Sequence, residues 1–201
     1  MRPTILLLGL WLVASVCAGA EPQQPKPYVE QQTGVTFPVA LGPYSLAGTS
    51  TFDKPELGVM IRYEVCEPYY IRTDVFVYDL GRKGLGTGTG NPEVKSHFEG
   101  VKSDLTAMER KGRYKGVKLL AGNPISIKMG EKDLPMLSAV YEYVIAPESG
   151  ESGDYPVFSQ LYLTAYKDKF LKVRCTYPKL AKETGEVTMK AFLTALGDIL
   201  K

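Results

Sequence analysis

Two stretches of this 201-residue sequence read as β-hairpins and as little else. Residues 58–66 (GVMIRYEVC) and 69–79 (YYIRTDVFVYD) are rich in β-branched and aromatic residues and flank Glu67-Pro68. Gln160 to Tyr166 and Phe170 to Tyr177 do the same around Lys167-Asp168-Lys169. Such runs, broken by short polar punctuation, are the signature of antiparallel pairs. In the first hairpin the charged positions Arg62, Glu64, Arg72 and Asp74 alternate with apolar ones at period two, which buries one face of a sheet.

The text between the hairpins adds a helix and more strands. After Asp79 the chain becomes glycine-rich (GRKGLGTGTG), and Asn91-Pro92-Glu93 then supplies a capping side chain, a first-turn proline and a first-turn acid. Val94, Phe98, Val101, Leu105 and Met108 follow as one apolar stripe, and Gly112 closes the helix. Loose alternation from Val35 to Phe52 predicts two short strands, and further β runs fall at Val117 to Leu120, Ile125 to Met129 and Leu137 to Ile145. The polar stretch 147–156 (PESGESGDYP) reads as a flexible loop. A last helix, about Glu186 to Leu200, turns Met189, Phe192, Leu193 and Leu196 toward a core. The expectation is an α+β domain, a largely antiparallel β-sheet flanked by two main helices.

A leading pair of strands, a helix after a long loop, a meander ending in FLKVRCTYP with its Tyr177-Pro178 strand end, and a closing amphipathic helix together resemble the PsbP-like α/β/α sandwich family, with its periplasmic DcrB-like proteins. The resemblance spans roughly residues 33–201. It implies a non-enzymatic binding or assembly-support module and carries no family site residue onto this chain.

The first twenty residues read as a signal peptide: Met1-Arg2, an apolar run from Ile5 to Val16, then Ala18-Gly19-Ala20. Lipidation at Cys17 is the rival, with Val16 against it. Residues 21–32 (EPQQPKPYVEQQ) read as a Pro/Gln-rich linker, leaving 33–201 as one domain. The expected location is therefore the periplasm or the cell exterior, with no membrane span. Loss of Arg2 leaves 23 basic against 22 acidic residues, a balance that gives no basis for binding nucleic acid. Cys66 and Cys175 remain, and an oxidising compartment allows one bridge between them; the competing reading of Cys175 is a buried free thiol beside Leu171 and Val173.

Chemistry is sparse. The single histidine, His97, flanks the helical stripe, so a two-histidine metal site is excluded and a packing role is the expectation. No serine lies in a G-x-S-x-G elbow, and Arg174 points away from Cys175 because neighbouring strand residues face opposite ways. Gly84, Gly86, Gly88 and Gly90 alternate without forming either glycine phosphate fingerprint, which leaves a mobile connector or a weak anion site. No catalytic residue, cofactor-binding residue or metal ligand is assigned. Thirteen tyrosines exceed what the core needs, and Tyr69, Tyr70, Tyr162 and Tyr166 are the candidate partner-binding residues. The expected function is an exported, non-enzymatic binding or assembly-support protein of the cell envelope that contacts a protein, an immunity-like inhibitor being one form. The alternative is a small-molecule or lipid carrier, which needs an apolar cavity between sheet and helix.

Overall fold

A computed structural model of the protein describes residues 26–147 and 153–201; the expected signal peptide lies outside the described residues. The elements run β1 (Tyr28–Val29), β2 (Thr36–Phe37), β3 (Ala40–Leu41), β4 (Tyr44–Thr51), β5 (Val59–Val65), β6 (Ile71–Tyr78), α1 (Pro92–Arg110), β7 (Tyr114–Ala121), β8 (Ile125–Met129), β9 (Lys132–Ile145), β10 (Tyr155–Tyr166), β11 (Lys169–Pro178) and α2 (Lys182–Ile199). Both expected hairpins form, as β5–β6 and β10–β11. β1 and β2 pair by themselves, and the other nine strands make one antiparallel sheet in the order β3-β4-β5-β6-β11-β10-β9-β7, with β8 on β9. The long β9 pairs with β8 along its first residues and with β7 along its last, and the sheet curls there.

Period-two alternation gives the sheet two buried faces rather than one. Ile61, Tyr63, Val75, Val173 and Cys175 face α2 and pack with Met189, Phe192 and Leu196. The opposite parity of β9, β10 and β11 supplies Tyr141, Tyr143, Leu163 and Phe170, which meet Val94, Phe98 and Leu105 of α1. The helices therefore lie on opposite faces of one antiparallel sheet, an α+β architecture. On the α1 face β5 and β6 turn polar toward one end, with Arg62, Glu64, Arg72 and Asp74, while Phe76 and Tyr78 join the α1-side core.

Local chemistry explains the element ends. Asn91 caps α1 by accepting from the amide of Glu93 at 2.9 Å, with Pro92 in the first turn. The glycine segment before it is tied down rather than loose. Gly86 donates its amide to the Asp168 carboxylate at 2.6 Å, and Gly88 exchanges backbone hydrogen bonds with Ala165. The carboxylate that this loop's amide receives is thus the protein's own.

Three boundaries differ from the sequence expectation. The linker ends earlier than residue 32: Tyr28–Val29 is already a strand, and the buried Glu30 carboxylate accepts from the amides of Gln32 and Thr33 and from the Thr33 hydroxyl. Helix α2 begins at Lys182, a turn before Glu186, through a short 3-10 turn at Lys179–Ala181. Of the expected loop at 147–156, Tyr155 and Pro156 already belong to β10, and residues 148–152 lie outside the described residues.

Candidate functional site: a tyrosine-lined pocket with a part-buried arginine

Strand register brings the ends of five strands together at one end of the sheet. Ile145, closing β9, lies opposite both Tyr114, opening β7, and Tyr155, opening β10. Pro178, closing β11, lies opposite Val157, and Thr176 lies opposite Arg72 near the start of β6. Between them opens a pocket of about 670 Å³, within the range of roughly 300–1,000 Å³ that small-molecule sites occupy. Tyr70, Tyr114, Tyr143, Tyr155 and Tyr177 contribute to its lining, and exposed Leu180 stands at its rim. No residue of α1 lines it.

Of the three cations that line this pocket, Arg72 is paired with Asp74 and Lys179 with Glu142, which leaves Arg174. Its Nε donates to Ser159 Oγ at 3.2 Å, and its Nη2 donates to the hydroxyl oxygens of Tyr143 at 2.8 Å and Tyr114 at 3.2 Å. The two rings are neighbours, with centroids 4.4 Å apart, and the guanidinium carbon lies 5.8 Å from the Tyr114 centroid. Burial works against the arginine's charge, yet the Tyr143 and Tyr114 hydroxyls outweigh it and hold the pKa above the ordinary arginine value. Among the described residues no carboxylate pairs with it. Asp74, opposite it in the ladder, is already held by Arg62 at 2.8 Å and Arg72 at 2.6 Å. At the rim, Lys179 is paired with Glu142, and Tyr70 donates to Glu64 at 2.6 Å.

Lys172 stands two residues along β11 on the same face, also without a described carboxylate partner, its ammonium 4.0 Å from the centroid of the Phe76 ring. Burial, and secondarily Arg174, lowers its pKa to about 8. A hollow of about 70 Å³ next to it is shared by Lys172, Arg174 and Asp104 of α1.

The four tyrosines picked from the sequence do not form one surface. Tyr70 is half-exposed on the pocket wall and Tyr69 is partly buried before β6. Tyr162 and Tyr166 are core residues and offer a partner nothing. Their parity turns them toward α2, where Tyr162 donates to Gln160 Oε1 at 2.8 Å and Tyr166 to the Leu200 carbonyl at 2.7 Å. The cysteines are both free thiols, Cys66 exposed and Cys175 buried. Cys175 aligns with Thr73 and, through it, with Tyr63, three residues before Cys66. Two strand spacings and three residues separate the α carbons by about 14 Å, where a bridge needs less than about 7 Å. Burial also pushes the Cys175 thiol up to about 11, far from a reactive thiolate. His97 packs 4.4 Å from Phe170 and shares a 2.7 Å hydrogen bond with Tyr78, a structural role.

Arg174, Tyr114 and Tyr143 are the residues that sequence reasoning passed over as site residues. Their signal was faint: an arginine flanked by Val173 and Cys175 in a strand otherwise destined for burial. Compared with known proteins, the chain matches no family model and no curated protein, so the site is read from its own side chains.

Proposed function

We propose that this chain is an exported, non-enzymatic binding protein whose ligand enters the pocket at the strand ends. The observation that carries the reading is the part-buried Arg174 guanidinium, held by neutral hydroxyls in the lining of an aromatic cavity. A charge drawn partly out of water without its counter-charge is costly, and such groups are enriched where proteins bind or react. The carrier alternative read from sequence gains support over the protein-contact one, with the cavity at the strand ends instead of between sheet and helix. Helices on both faces of an antiparallel sheet agree with the PsbP-like sandwich, which remains part of this proposal.

The test is native mass spectrometry of the protein purified without denaturant from the cells that make it. Wild type should carry an added small mass that leaves on unfolding. Thr176→Trp, which fills the pocket from β11, should lose that mass while keeping its fold. A bare wild-type mass alongside a stoichiometric protein partner would favour the second reading. That reading rests on Leu119 and Leu120, half-exposed on the edge strand β7, where a partner's strand can add.

A further inference from the structure

The donor arithmetic at Arg174 specifies the ligand's chemistry more narrowly than the cavity's shape does. A guanidinium carries five N–H groups. Nε and both Nη2 hydrogens are directed to Ser159, Tyr114 and Tyr143, which leaves the two on Nη1 with no described partner. The phenols matter as much. Each oxygen accepts from the guanidinium, so each retains its own O–H, and neither hydroxyl has another described partner. The cluster therefore holds four donors with no described acceptor, two on Nη1 and one on each phenol, around a positive charge. Among the described residues, Arg62, Arg72, Lys172 and Arg174 on this sheet face stand with the carboxylates Glu64, Asp74 and, from α1, Asp104. Asp74 is consumed by its two arginines. The lining also includes Ile145, Tyr155, Pro156, Pro178 and Leu180, with Lys179 paired to Glu142.

Resting on the reading of this pocket as a binding site, we infer that its ligand is an amphiphilic acid: a carboxylate or phosphate head seated on Arg174 and the hydroxyls of Tyr114 and Tyr143, with an apolar body along the tyrosine and proline walls. Charge-assisted hydrogen bonds from a planar fork suit either head group. Lys172, two residues before Arg174 on β11, adds positive potential without itself lining the pocket.

The experiment is calorimetric titration of the full chain with three probes of equal chain length: dodecanoate, dodecyl phosphate and dodecanol. At least one of the two acids should bind about tenfold tighter than the alcohol, the worth of one charge-assisted contact; the better acid identifies the head group. Arg174→Gln should bring that acid to within about twofold of dodecanol. The double variant Tyr114→Phe/Tyr143→Phe keeps the shape and the arginine, so it serves where Arg174→Gln does not fold. It should weaken the acid by about fivefold and leave dodecanol unchanged. Equal binding of all three probes to wild type would overturn the acid inference while leaving the pocket as a binding site. Binding of none would bring down both.

Discussion

Lys172 shows how one side chain can hold stability in reserve. Its ammonium is desolvated, lies two residues from Arg174 and leans on Phe76. Unfolded, it keeps its proton to the ordinary value of 10.5; folded, it gives it up near 8. Between those values the unfolded chain binds more protons, so stability rises with pH across that window, and the full penalty is present below it. Lys172→Met should accordingly stabilise the protein at pH 7 by about 1–2 kcal/mol, the lost ring contact offsetting part of the gain. By pH 10 most of that gain should be gone. Urea denaturation of both proteins at the two pH values checks this, and a gain independent of pH would show that the buried charge is not its source. From sequence, Lys172 and Arg174 were simply the polar positions of an alternating strand. Alternation tells which way a side chain points, but not whether the space it points into is water, a helix or a cavity.

At the scale of elements, α2 approaches the sheet through a gap in its own surface. A β-carbon on Gly185 would sit 2.4 Å from the ring of Tyr177. That ring is buried, and its hydroxyl accepts from Gln160 Nε2 at 2.8 Å, which ties it in place. Gly185→Ala should cost about 2–3 kcal/mol by overpacking. Gly100→Ala in the middle of α1, where the added carbon meets nothing within 4 Å, should instead stabilise by about 0.5–1 kcal/mol. Thermal denaturation of the pair separates helix propensity from packing, and similar effects from both would contradict the close approach.

The same glycine explains why the start of α2 was misjudged. Read alone, a glycine four residues before the apolar run looks like a helix boundary, whereas here it is the point of closest packing inside the helix. By contrast the cap at Asn91, the stripe of α1 and both hairpins were legible because their signals are local. The pocket was not legible, because it is assembled from the ends of five strands that only the register brings together. The tyrosines illustrate the limit: Tyr162 and Tyr143 look alike in strand text, yet one is a core residue on the α2 face and the other lies beneath the pocket on the α1 face.

In the whole molecule, β6 and β11 lie side by side at the middle of the sheet, paired residue for residue from Tyr78 with Phe170 to Arg72 with Thr176. Everything before β6 in the sheet comes from the first part of the chain, and everything beyond β11 comes from the second. Hairpins on each side can close within a few residues, but this seam joins strands separated by α1 and four further strands. Its closure bears the loop entropy of the fold, and non-local pairing of this kind slows folding.

That seam also divides the sheet into two consecutive lengths of polypeptide, joined covalently through one exposed stretch around Arg82 and Lys83 and held together as well by α2 of the second, which packs on the strands of the first. A specific protease site introduced between those two residues would sever the covalent link and leave the β6–β11 ladder untouched. The nicked molecule should then run as a single species in size-exclusion chromatography and part into two fragments only in denaturant. The protein is thus a candidate for splitting into complementing halves, whose meeting would restore the tyrosine-lined pocket, because Tyr70 and Arg72 come from one half and Tyr143 and Arg174 from the other.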